Sequence, residues 1–173
     1  MTLVETAEDA RNLQPADANN LAFLTQTTLS VDDTSEITSI LGSRFPNIVG
    51  PKGEDICYAT SNRQEAVKAI AGKCELVLVI GAPNSSNSLR LVEVAARSGA
   101  KAHLVQRADD ISMNWFDGVD TLGLTAGASA PEILVREIID ALAAHFDIDE
   151  QQVTTAEESI TFKLPRELAG AAA

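Results

Sequence analysis

Two periods of apolar residues alternate along this chain. Short unbroken runs such as "LVLVI", residues 76–80, are separated by stretches in which apolar positions recur every three or four residues. The first pattern fits a strand buried on both faces, and the second fits an amphipathic helix. Their alternation predicts an α/β layer fold with a mostly parallel sheet.

From the amino end, residues 2–5 ("TLVE") predict a short strand, residues 7–13 a short helix and residues 21–24 ("LAFL") a strand. Ser30 predicts the cap of a helix over 31–45, with Asp33 in the first turn, where negative charge suits the helix dipole. Its inner face is Ile37, Ile40, Leu41 and Phe45. The pattern breaks in "FPNIVGPKG", where Pro46, Pro51 and two glycines fall within nine residues, and a domain boundary is placed there. A helix over 61–72 follows, with Ser61 and Gln64 as a capping box and Gly72 as its stop.

After the strand at 76–80, the pattern predicts a helix over 87–98 ended by Gly99 and a strand over 102–105. A short helix in "ADDISMNWF" and a strand over 121–124 come next. Pro131 opens a helix over 131–146, where its missing N–H costs nothing. The buried stripe of that helix is Val135, Ile138, Ile139, Leu142 and Phe146. The tail "SITFKLP" alternates apolar and polar residues and predicts a half-buried edge strand.

Composition narrows the class. A chain of 173 residues with 45% hydrophobic residues can bury a core of ordinary domain size. A net charge of −12 argues against nonspecific binding to nucleic acid or anionic membranes. Apolar runs stay well short of the roughly 20 residues of a membrane-spanning helix. "MTLVETAEDA" has neither a basic n-region nor an apolar h-region. The expectation is a soluble cytoplasmic protein. The two cysteines, Cys57 and Cys74, form no CxxC pair and no disulfide framework. Cys74, just before a strand, reads as a small buried hydrophobe. His103 and His145 sit inside apolar patterns and read as structural.

Candidate chemistry lies in three polar turns, "TQTTLS" (25–30), "GAPNSSNS" (81–88) and "TAGASAP" (125–131). Each passes from a strand to a helix. Ligands of open α/β sheets bind beyond the carboxyl ends of strands, where unpaired helix N–H groups favour an anion. Short hydroxyl and carboxamide side chains donate to phosphate oxygens, and small residues let the backbone approach. Thr27 and Thr28, then Ser85, Ser86 and Asn87, then Ser129 are the candidate donors. Any one turn alone is read more simply as an N-cap. The three together favour a shared small anionic ligand. Walker A and GxGxxG patterns are absent, so nothing specific points to a nucleotide. Cys57, ahead of a helix, stands as a nucleophile, a metal ligand or a buried thiol. Spacing alone favours the buried thiol.

"TQTTLSVDDT", "FPNIVGP", "DICYAT", "NRQEAV", "GAPNSSNS" and "TAGASAP", in this order, closely resemble the carboxy-terminal part of the 4-hydroxy-3-methylbut-2-enyl diphosphate reductase family. The resemblance covers nearly the whole chain. It implies parallel-sheet, three-layer α/β lobes: the second half of a middle lobe (1–50), a complete last lobe (51–146) and a tail (147–173). It implies a [4Fe–4S] cluster with one cysteine from each of three lobes, of which Cys57 matches the last. It implies that Thr27, Ser85, Ser86, Asn87 and Ser129 hold the substrate diphosphate, with Thr27 also catalytic. The implied reaction is a two-electron reductive dehydroxylation giving isopentenyl and dimethylallyl diphosphate. The implied partners are an isoprenoid diphosphate, an electron donor such as ferredoxin or flavodoxin, and the missing amino-terminal lobes. Two of the three cluster cysteines belong to those lobes. The chain is therefore expected to be truncated and inactive alone. The alternative is a diphosphate-binding module without redox activity.

Overall fold

The computed structural model describes residues 1–53 and 55–157. At its centre is β1 (Leu76–Ile80), in which every residue is fully buried. A run with no polar member has no face to offer water, so it must be covered on both sides. β2 (Lys101–Val105) and β3 (Leu122–Ala126) flank it in parallel, in the order β2-β1-β3. Leu76 lies opposite Lys101 and Leu122, and Ile80 lies opposite Val105 and Ala126.

Strand alternation divides the core into two halves. Val77 and Val79 pack with Val67, Ala71, Leu91 and Val94. These come from α3 (Tyr58–Ala71) and α4 (Ser86–Arg97), which cover one face of the sheet. On the opposite face, Leu76, Leu78 and Ile80 pack with Val105, Ile138 and Leu142. That face is covered by α5 (Glu132–Ala143) and by two 3-10 turns, Ala108–Asp110 and Met113–Phe116. Burying each aliphatic side chain contributes about 1.5–3 kcal/mol. The expected three-layer α/β lobe with a parallel sheet is therefore present.

Residues before this lobe build a smaller core of their own. α1 (Ala7–Asn12) and α2 (Val31–Arg44) bury Ala10, Leu41 and Phe45, with Ile37 and Ile40 packed around them. This is the inner face expected of α2. Ser30 caps that helix by accepting from the Asp33 N–H at 3.2 Å. Arg44 donates to the carbonyls of Ala10 and Leu13, which satisfies the otherwise unpaired end of α1.

Several elements depart from expectation. Residues 2–5 form no strand: the Asp9 carboxylate takes the N–H groups of Glu5 and Thr6 in the capping box of α1. Residues 21–24 make only one parallel bridge, Ala22 to Val49, and Leu24 is 81% exposed. α3 starts at Tyr58, because the Cys57 carbonyl already accepts from the N–H groups of Thr60 and Ser61. Ser61 is thus inside the helix and caps nothing. "ADDISMNWF" becomes two 3-10 turns, the first held by Asp110 accepting from the N–H groups of Gln106 and Arg107. Pro131 is the N-cap of α5 rather than its first residue. α5 stops at Ala143, so Phe146 is 43% exposed and lies against Phe116 with ring centroids 5.1 Å apart. His103 stacks on Trp115 at 4.0 Å, a structural role as expected. The expected tail strand lies outside the described residues.

Charge ties α2 to the lobe. Asp32 pairs with Lys68 of α3 at 2.8 Å, and Asp33 pairs with Arg97 of α4 at 2.6 Å. Hydrogen bonding from Arg97 holds the Asp33 carboxyl below its usual range, against a smaller opposing effect of desolvation. A carboxyl lowered in the folded state adds stability above its unfolded pKa, about 4, and loses it as pH falls through the folded value. Acid scans of wild type and Asp33→Asn check this. Wild type should lose more stability than the variant below pH about 4, and parallel curves would show that the pair contributes nothing.

Candidate functional site

Chain direction gathers three helix N-termini at one edge. α3 runs down to the start of β1, so it begins near the carboxyl end of that strand. α4 leaves that end directly, and α5 leaves the same end of β3. Because β2 and β3 lie on opposite sides of β1, the order reverses between β1 and β3. Crevices outside such a switch point are where open α/β sheets bind ligands.

The turns after β1 and β3 close on each other there. Gly127 N–H donates to the Ile80 carbonyl at 2.8 Å, and Gly81 N–H donates to Val105 at 3.0 Å. The Ser88 hydroxyl is wedged between the two turns. A Cβ on Gly81 would stand 2.1 Å from its oxygen, and one on Gly127 would stand 2.3 Å from it. A side chain at either position would displace the Ser88 hydroxyl, and the approach of these backbones shapes the cradle. Ser88 donates to Ser85 Oγ at 3.0 Å, and Ser88 N–H donates to the same oxygen at 3.3 Å. Ser85 thus caps α4 as an acceptor and keeps its own hydroxyl hydrogen free to donate.

Asn87 is the group that capping does not explain. It is 93% buried, and both Oδ1 and Nδ2 lack a hydrogen-bond partner. A buried carboxamide with neither end satisfied costs free energy unless something else bonds it. Its Nδ2 lies 3.6 Å from the position of a Gly127 Cβ, between the two turns. Asn87 is therefore not on an exposed rim, whereas Ser86 beside it is exposed. Ser129 is exposed and caps nothing, since the N-cap of α5 is Pro131. It lines a crevice of about 260 Å³ with Gly81, Ala82, Arg107 and Pro131.

The first polar turn meets a different candidate. Cys57 N–H donates to the Thr27 carbonyl at 3.0 Å, so the Thr27 turn sits on the N-terminus of α3. Both residues are exposed, which corrects the expectation that Cys57 is buried. Thr25 N–H donates to the Asp55 carboxylate at 2.8 Å, on the same side. The structure thus makes two groups, Thr27 with Cys57 and Ser85 with Asn87 and Ser129. Each lies at a helix N-terminus on the same edge of the sheet.

The family model described as LytB protein matches residues 1–143. The chain belongs to the LytB protein family. It is 63% identical over 98% of its length to a 4-hydroxy-3-methylbut-2-enyl diphosphate reductase of Hyphomonas neptunium, and 56% identical to that of Phenylobacterium zucineum. The chain spans 54% of the length of each. Among solved structures it is similar to the E-1-hydroxy-2-methyl-but-2-enyl-4-diphosphate reductase of Plasmodium falciparum. There the TM-score is 0.87 at 34% identity, over 95% of this chain and 52% of that one.

Within this family frame, the donor set can be tested against an iron–sulfur cluster. Such clusters are held by several thiolates. Among the described residues, no three His, Cys, Asp or Glu side chains gather as a metal site. Cys57 opens α3, while Cys74 follows its far end and packs against the core. With 14 residues in the helix, about 20 Å separates them. The chain's own residues therefore do not fit a cluster by themselves, and Cys57 offers one thiolate.

A larger cavity, about 410 Å³, is lined by Ser30, Asp32, Lys68, Val94, Arg97 and Ser98. It holds more positive charge than the cradle, but Lys68 and Arg97 are already paired with Asp32 and Asp33. The cradle has a buried carboxamide with neither end paired, and it is the better candidate. Sequence reasoning missed Ser88, Gly81 and Gly127 as the parts that shape it. Their signal was present: a glycine opens each turn directly after the strand.

The two thiols differ in access. Burial, with the Glu75 charge adding to it, pushes the Cys74 thiol up. Alkylation at neutral pH should label one thiol quickly, and Cys57→Ser should abolish that fast phase. Equal labelling of both thiols would contradict the placement of Cys74.

Proposed function

We propose that this chain is the diphosphate-holding part of a 4-hydroxy-3-methylbut-2-enyl diphosphate reductase. The observation that carries the reading is the buried, unpartnered carboxamide of Asn87 in the cradle of Ser85, Ser88, Gly81 and Gly127. A diphosphate oxygen would accept from Nδ2, from the Ser85 and Ser86 hydroxyls and from N–H groups of the first turn of α4. Ser129 would reach the anion from the β3 turn, and the Thr27 hydroxyl would face the reacting end of the substrate. The grip needs no positive charge, because helix N-termini already favour the anion.

In the complete reaction, two electrons and two protons enter, the substrate C–O bond breaks and water leaves. Isopentenyl and dimethylallyl diphosphate are the products. A protein donor such as ferredoxin or flavodoxin would supply the electrons. Cys57 would give one ligand to a [4Fe–4S] cluster whose other ligands come from polypeptide matching the remainder of the relatives. The chain alone binds and does not reduce, as fits a donor set of one exposed thiol. The exposed side chains of Leu3, Leu24 and Val49, at 74%, 81% and 63%, lie where the added polypeptide would pack. Reductase activity should arise on mixing with a separately expressed amino-terminal part, and activity from this chain alone would contradict the division of labour.

Diphosphate titration tests the grip. Asn87→Ala should weaken binding about tenfold to a hundredfold, the worth of a hydrogen bond to a charged group. Its stability should change by about 1 kcal/mol or less, because no protein hydrogen bond is lost. Ser85→Ala should cost about 0.5–2 kcal/mol, since it removes the cap of α4. Unchanged diphosphate affinity in Asn87→Ala would overturn the reading.

A further inference from the structure

We infer that Gln64 is the positioning residue that fixes the Thr27 turn against Cys57. The inference rests on the reading of Thr27 and Cys57 as site residues, and it deepens that reading. Gln64 is only 1% exposed, in the middle of α3. Its Nε2 donates to the Leu29 carbonyl at 2.8 Å, and its Oε1 accepts from the Val31 N–H at 3.0 Å. Leu29 and Val31 flank Ser30, the cap of α2. One side chain therefore grips both sides of the point where the polar turn becomes a helix.

Helix geometry makes this grip relevant to Cys57. Gln64 lies seven residues after Cys57, two turns along α3, so both face the same way. The face that presents the Gln64 amide to Leu29 and Val31 also presents the Cys57 N–H to the Thr27 carbonyl. The turn is held at two points, one buried and one at the exposed rim. The rim bond alone competes with water and is weak. The buried amide is shielded from that competition, and losing it would strand a carbonyl and an N–H inside the protein.

Packing alone does not call for glutamine here. Methionine or leucine would fill a similar volume but would leave the Leu29 carbonyl and the Val31 N–H without their partner. The carboxamide is distinguished by two bonds of opposite sense to residues 29 and 31, which an apolar side chain cannot make. "NRQEAV" thus carries a residue whose task is to set the separation of two site turns, and not to cap α3, whose N-cap is Cys57.

Amide hydrogen exchange on the full 173-residue chain tests the inference, with wild type, Gln64→Met and Gln64→Glu compared. In Gln64→Met, the Cys57 and Val31 amides should exchange about tenfold faster, the scale of one net hydrogen bond. The Val77, Leu78 and Val79 amides in the central strand should be unaffected. Gln64→Glu keeps the acceptor for Val31 and loses the donor to Leu29. It should release the Cys57 amide more than the Val31 amide, and it carries the comparison should Gln64→Met not fold. An unchanged Cys57 amide overturns the inference. So does equal acceleration of Cys57 and the central strand, which would mean global loss of stability. The readout needs neither diphosphate nor a cluster, so failure of diphosphate binding leaves this test standing.

Discussion

The constraint on which the rest depends is the complete burial of β1. Five consecutive aliphatic residues with no exposed face require a strand on each side and a helical layer above and below. Once those layers are in place, the chain must reverse at the end of β1, and it does so through small polar residues. The turn after β3 comes to the same edge because β3 pairs with β1 in parallel. The cradle of Gly81, Ser85, Asn87, Ser88 and Gly127 is thus a consequence of one apolar strand. The glycines let two backbones approach a serine hydroxyl that any side chain would displace.

A second relationship places the Thr27 turn. Among the described residues, α1 and α2 have their own small core and share no apolar cluster with the lobe. What joins them to α3 and α4 is polar: the Gln64 amide, the Cys57 to Thr27 bond, and the pairs of Asp32 and Asp33 with Lys68 and Arg97. Exposed ion pairs contribute at most about 1 kcal/mol each and weaken with salt. The buried amide, by contrast, is shielded from water. The arrangement of the two site groups is therefore set more by Gln64 than by the more numerous charges.

Much of this was legible in the sequence where one principle dominated. The apolar run of β1, the Ser30 cap and the stripe of α2 follow from periodicity and capping alone. The strand expected at residues 2–5 failed because the capping box of Thr6 and Asp9 claimed its backbone donors. Ser61 and Gln64 have the spacing of a capping box, but tertiary contacts at Cys57 and Leu29 started the helix earlier and turned Gln64 inward. Cys57 looked buried from spacing alone, whereas its place at a helix N-terminus exposes it. The polar turns after β1 and β3 are strand-to-helix passages as expected, whereas the turn at 25–30 follows only the single bridge of Ala22 to Val49. Their separation into caps and non-caps required the structure, since a serine that caps and one that does not are identical in sequence.

The central claim is that an anion is held by uncharged donors at the switch point between β1 and β3. The competing expectation from charge alone is the cavity beside Lys68 and Arg97. Backbone amide chemical shifts during titration with inorganic diphosphate separate the two directly. The account predicts shifts concentrated at Gly81, Ser85 to Ser88 and Gly127 to Ser129. Shifts confined to Ser30, Lys68, Arg97 and Ser98 would contradict it.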